Sequence, residues 1–213
     1  MPFADRAEAG RRLARALEPY RSRRPVVLAL PRGGVPVAAQ IAESLGAPLD
    51  LILVRKIGVP FQPELAMGAV VDGGHRLVVR NDDVIAATGV TETAFQEICD
   101  RELVEIERRR RAYLGDRVPV EVSGRAAIVV DDGIATGATT RAALRATRAR
   151  HPATLVLAVP VAPLNTLASL HLEVDDIVCL ESPEDFGAIG MFYDDFRQVT
   201  DREVTRLLKR FDR

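Results

Sequence analysis

Residues 128–140 read Ile-Val-Val-Asp-Asp-Gly-Ile-Ala-Thr-Gly-Ala-Thr-Thr, and no other stretch limits the fold as tightly. The apolar start suits a strand buried in a parallel sheet. Asp131 and Asp132 then fall at the strand's carboxyl end, where open α/β sheets bind ligands. The loop that follows has little side-chain bulk, so consecutive backbone N–H groups can close around an anion. It runs into a helical pattern, and a helix N-terminus offers a phosphate unpaired N–H groups and the positive end of a dipole. Gly137 suits a positive φ or a close backbone approach. Thr136, Thr139 and Thr140 add hydroxyl donors. Acids for hydroxyls or a metal, beside a loop for a phosphate, fit a phosphorylated sugar.

Four apolar residues, two acids and a short loop with Thr-Gly and a closing Thr resemble the 5-phosphoribosyl-1-diphosphate (PRPP) motif of type I phosphoribosyltransferases. The resemblance implies that Asp131 and Asp132 hold the two ribose hydroxyls. It implies that Ala135, Thr136, Gly137, Ala138, Thr139 and Thr140 wrap the 5-phosphate. It further implies Mg²⁺ between diphosphate and ribose hydroxyls, touching Asp131 and Asp132 directly or through hydroxyls or water. The chemistry agrees: anions about 4 Å from the charge that builds as the C1–O bond breaks are worth roughly 4 kcal/mol at an effective dielectric near 20. Members that use 6-oxopurines commonly carry an aspartate at position 135. Ala135 cannot exchange a proton, so it argues against that acceptor class without naming another. No Gly-Lys-Ser/Thr follows the loop and no Gly-x-Gly-x-x-Gly occurs, which removes P-loop and dinucleotide-binding readings.

The rest of the chain alternates strands and helices, which predicts an α/β fold with a doubly wound, mainly parallel sheet. Asp5-x-x-Glu8 resembles a capping box opening a helix to about residue 17. Residues 26–30 predict a buried strand, followed by a helix to about residue 45 and a strand over 49–54. Residues 65–71 and 75–80 predict a hairpin across Asp72-Gly73-Gly74. A long polar helix is expected over 91–113, the motif strand over 126–131 and a helix over 140–150. Then come a strand at 154–161, a helix at 164–172, a strand at 176–180 and a last helix capped by Thr200-x-x-Glu203. The 213 residues are expected to form one domain, with 72–124 as an insertion of hairpin plus helix. The resemblance covers roughly residues 25–70 and 125–182. It implies a small hood over the site, built from residues 181–213 and the N-terminal helix.

Other residues gain meaning from that register. Pro31-Arg32-Gly33-Gly34 alone is an ordinary turn. After the first core strand it stands where the family has its diphosphate loop, so Arg32, Gly33 and Gly34 are expected to meet the leaving group. Arg55 and Lys56 precede a loop-like stretch, 57–66, where the resemblance implies a mobile catalytic loop that closes over diphosphate. Both cations are expected to act in catalysis by meeting the PRPP phosphates, and Glu64 has no assigned role. Closure of such a loop excludes water. Aromatic residues make up 5% of the chain, and four of them cluster at Phe186, Phe192, Tyr193 and Phe196. In relatives the hood supplies an aromatic that stacks on the acceptor base. Phe186 is the first candidate and Tyr193 the second, and both equally suit a small hood core.

Several classes are excluded or disfavoured. A net charge of −1 gives no reason to expect nucleic acid or a membrane as partner. The Arg108–Arg111 run faces Glu105 and Glu107 at helical spacing and reads as a self-neutralised surface. No apolar run reaches membrane-spanning length and the N-terminus lacks an apolar signal core, so a cytoplasmic protein is expected. The three histidines and two cysteines lack zinc-ligand spacing. The function expected is transfer of a 5-phosphoribosyl group from PRPP to a nitrogenous base with release of diphosphate, a Mg²⁺-dependent step of nucleotide salvage. Members of the family usually associate, which admits a homodimer. Two rivals remain open: a PRPP- or nucleotide-binding regulator on the same fold without turnover, and a receiver-like Mg²⁺ site at Asp131 and Asp132.

Overall fold

The computed structural model describes residues 2–72 and 76–211; the turn expected across Gly73 and Gly74, and the Glu64 side chain, lie outside the described residues. Helix α1 (Arg6–Ala16) starts at Asp5, whose carboxylate accepts from the Glu8 N–H at 2.7 Å. Strand β1 (Val26–Ala29), helix α2 (Gly34–Leu45) and strand β2 (Leu49–Leu51) form the expected β-loop-α-β unit. The chain then departs from expectation. Strand β3 (Leu53–Val59) leaves the core sheet and pairs antiparallel with β4 (Gln62–Asp72), which pairs with β5 (Arg76–Arg80). Residues 57–66, expected as a loop, are therefore mostly strand. Backbone pairing with β4 and a bulge at Gly58 accommodate the glycine and prolines that suggest a loop.

Helix α3 (Asp82–Thr88), which the sequence pattern does not announce, and the long α4 (Glu92–Leu114) follow. The motif strand β6 (Ala126–Val130) leads to α5 (Ala138–Arg148). Strand β7 (Thr154–Val161), α6 (Leu164–Leu170), β8 (Asp176–Glu181) and α7 (Asp201–Leu208) complete the fold. Thr200 and Glu203 form the full reciprocal capping box of α7.

Among the described residues the core sheet has strand order β2-β1-β6-β7-β8, all parallel. Side-chain alternation explains why its strands are uniformly apolar. Val27, Ala29, Ile128 and Val130 pack into a core with α1, α2 and α7. Val26, Leu28, Ala127 and Val129 pack into a second core with α5 and α6. With helices on both faces there is no solvent side, so polar alternation disappears. The chain reverses its direction of winding between β1 and β6. In this topology a crevice opens there, beyond the strands' carboxyl ends.

The three-stranded sheet stands beside this core. Ile57, Val59, Met67 and Val70 pack on Phe95, Ile98 and Ile106 of α4. On the opposite face, Val54, Ala69 and Val79 pack toward the α5 side.

Candidate functional site

The crevice is assembled from two loops that leave neighbouring strands. The Leu30 N–H donates to the Val130 carbonyl at 2.9 Å, which locks the end of β1 to the end of β6. The Pro31–Arg32 peptide is cis. Gly33 and Gly34 then pass so close to the acid pair that side chains are excluded. A Cβ on Gly33 would lie 2.0 Å from an Asp132 carboxylate oxygen, and one on Gly34 would lie 2.7 Å from the Val130 carbonyl. The two glycines are thus explained by contact between the loops, whatever ligand they serve. Arg32 sends its guanidinium 3.6 Å from Asp201, at the start of α7.

The acids are not equivalent. Asp131 is partly open to solvent and accepts from the Asp132 N–H at 2.9 Å. Burial, and then the charge of Asp132, push its carboxyl well above the usual range. Asp132 is buried, and its Oδ2 accepts from Arg6 Nε at 2.7 Å. Its carbonyl accepts from the Tyr193 hydroxyl at 2.6 Å. The charge of the pair is therefore partly met by an N-terminal arginine that nothing in the sequence singles out.

The loop after the acids is held from behind. Gly133 sits against Ile189, whose side chain leaves no room for a Cβ. The Ile134 N–H donates to the Val161 carbonyl, and Thr166 Oγ1 donates to the Ala135 carbonyl at 2.7 Å. Gly137 has φ of 77°, as the sequence suggests, and packs against Thr166 and Leu170 of α6. Ala135, Thr136, Ala138 and Thr139 remain exposed, and the first-turn amides of α5 have no carbonyl four residues earlier within the helix. Thr140 differs from expectation. It is 2% exposed, on the side of α5 where Ala143, Leu144 and Thr147 are also buried.

Alternation along β3 separates Arg55 from Lys56. Arg55 Nε donates to Glu102 of α4 at 2.6 Å. Lys56 lines a cavity of about 410 Å³ together with Arg80, Thr139, Arg141 and Arg145, beside the start of α5. The two cations, expected to act together, lie on opposite faces of one strand.

The aromatics expected to form a hood also divide. Tyr193 is buried between Phe3 and Phe196, with ring centroids 5.3 and 5.0 Å away, and burial raises its phenol far above its ordinary pKa. With its ring enclosed and its hydroxyl bonded to Asp132, it has no free face for a base in this arrangement. Phe186 is half-buried and stacks on Phe192 at 5.6 Å, leaving it the better placed of the two candidates.

Among the described residues no cluster of three His, Cys, Asp or Glu side chains could hold a metal ion by itself. Asp131 suits a hard cation that brings its other oxygens from a substrate. Asp132 Oδ2 is already engaged by the Arg6 guanidinium. Among the described residues no helix is long and apolar enough to cross a membrane.

Comparison with known proteins gives a consistent answer. The family model for the phosphoribosyl transferase domain matches residues 5–196. A Mycobacterium tuberculosis protein named "Putative phosphoribosyl transferase" is 46% identical over 211 residues, 99% of this chain. The chain spans only 47% of that protein's length. The crystal structure of TT1426 from Thermus thermophilus superposes with a TM-score of 0.86 at 39% identity, covering 99% of both chains. A Neisseria gonorrhoeae protein crystallised with bound ppGpp shares the fold at 15% identity and a TM-score of 0.52, over 99% of this chain and 94% of that one.

Proposed function

The chain belongs to the phosphoribosyl transferase family, with the type I fold, and on that premise we propose that it moves the 5-phosphoribosyl group of PRPP to a nitrogenous base and releases diphosphate. The observation that carries this reading is the junction of β1 and β6. There a glycine loop, an acid pair and an open helix N-terminus converge at one sheet edge. Each part suits one portion of PRPP.

In the proposed reaction, the exposed loop around Ala135, Thr136, Ala138 and Thr139 holds the 5-phosphate with backbone amides and hydroxyls. Asp131 accepts hydrogen bonds from the ribose hydroxyls and stabilises positive charge as the bond to diphosphate lengthens. The loop of Arg32, Gly33 and Gly34 faces the leaving group with its backbone. Lys56, beside Thr139, adds positive charge on the phosphate side. Phe186 offers a face to the acceptor. No residue here acts as a covalent nucleophile; the protein contributes positioning and electrostatics. Mg²⁺, when bound, would neutralise the diphosphate, held by substrate oxygens with Asp131 as the fitting protein contact. Ala135 still disfavours a 6-oxopurine acceptor.

The test is phosphorus NMR of the protein with PRPP, Mg²⁺ and a panel of bases. Diphosphate release with one base and a rise in melting temperature with PRPP are expected. PRPP binding without diphosphate release for any base would favour a regulator, and no PRPP binding would overturn the reading altogether.

A further inference from the structure

Arg6 occupies the first turn of α1, where the helix dipole disfavours a cation. Its side chain is nonetheless only 10% exposed. Burying a guanidinium at the wrong end of a helix requires compensation from elsewhere, and its contacts supply it. Nε donates to Asp132 Oδ2 at 2.7 Å, and Nη1 donates to the Arg197 carbonyl at 2.9 Å. The guanidinium carbon lies 3.9 Å from the centroid of Phe196. One side chain thus joins the N-terminal helix, the acid pair and both backbone and ring of the hood.

Resting on the transfer reaction proposed above, we infer that Arg6 is a positioning residue that fixes Asp132 beneath the hood and leaves Asp131 as the acid that meets the sugar. The planar fork suits this task. It can satisfy a carboxylate and a carbonyl together while stacking on an aromatic face, which a point charge cannot do. Hood and motif are far apart in sequence, and Arg6 sets their relative position through contacts to both. Tyr193, bonded to the Asp132 carbonyl, closes the same arrangement from the hood side.

The test measures affinity for two probes by calorimetry: PRPP with Mg²⁺, and inorganic phosphate. Phosphate reports the loop at residues 135–139 alone, whereas PRPP also reports the acid pair. Arg6→Met should weaken PRPP by at least about tenfold, near 1.4 kcal/mol, while leaving phosphate affinity unchanged. Arg6→Lys, which keeps the charge and loses the fork, should fall between wild type and Arg6→Met, and it decides the matter alone if Arg6→Met does not fold. Wild-type PRPP affinity in the folded variant overturns the inference. So does an equal loss for both probes, which would mean a general structural role. Wild-type protein that binds phosphate but not PRPP overturns the transfer reading, and this inference with it.

Discussion

The two sheets of this protein are held in different ways. The parallel core sheet is covered on both faces, and its loops are fixed by close contact: Gly33 against Asp132, Gly133 against Ile189, Gly137 against α6. The three-stranded sheet packs Ile57, Val59, Met67 and Val70 on α4 and carries ion pairs toward its outer side, including Arg55 with Glu102 and Arg80 with Glu92. Steric fit in a dense interior tolerates little change, whereas exposed ion pairs contribute little each. Chemistry that needs fixed geometry therefore belongs to the first region. The second is suited to supplying adjustable charge at the rim.

The acid pair gives the sharpest way to break that comparison. Asp132→Asn removes one partner of a buried pair and leaves Arg6 uncompensated, at a cost of about 3–5 kcal/mol. At about 2–4 °C per kcal/mol for a domain of this size, the melting temperature should drop by roughly 10 °C. Asp131→Asn should behave oppositely. It removes a charge that burial and Asp132 both disfavour, so thermal stability should hold or rise. Turnover should nevertheless fall by about 10²-fold, equivalent to about 3 kcal/mol of lost transition-state stabilisation. Equal effects of the two substitutions on melting and on turnover would show that the acids share one role.

Much of this is legible in the sequence, for identifiable reasons. The motif strand, its acids and the positive φ of Gly137 follow from local chemistry: an apolar run, charged residues at its end, and a residue without Cβ. The capping box at Thr200 is a four-residue signal and is readable as such. Arg6 is hidden because its partners are 126 and 191 residues away, and an arginine in a polar helix gives no local sign of burial. Thr166 is hidden likewise, since its bond to Ala135 spans 31 residues. The β3–β4 pairing reads as a loop because Gly58, Pro60 and Pro63 are turn residues in isolation, and the bulge that accommodates them depends on the partner strand. The split of Arg55 from Lys56 follows at once when that stretch is a strand.

Arg55 offers a smaller effect that tests the second region. Its ion pair with Glu102 is about a third exposed on the arginine side, so Arg55→Ala should cost at most about 1 kcal/mol and leave turnover nearly unchanged. Lys56→Ala should instead weaken PRPP binding while barely moving the melting temperature. A large loss of turnover in a stable Arg55→Ala protein would return Arg55 to the chemistry and contradict its scaffolding role.

The smallest effect concerns the joint between the regions. The Tyr113 hydroxyl, at the end of α4, donates to Asp201 at 2.5 Å, and Asp201 also faces Arg32 of the glycine loop. Burial and the bond to Asp201 raise the phenol from 10.0 to about 12. A tyrosine whose pKa is raised on folding stabilises the fold through its neutral form. That contribution is complete below pH 10 and is lost as pH rises through about 12, because the folded state then holds the proton the unfolded state has released. A rise of that size would correspond to about 2.7 kcal/mol, but the Asp201 side chain is 62% exposed, and screening reduces this to roughly 1 kcal/mol. Tyr113→Phe should therefore start slightly less stable at neutral pH and lose less between pH 10 and 12, so that the two melting curves converge. Curves that stay parallel would mean that this contact contributes nothing to holding α4 against α7.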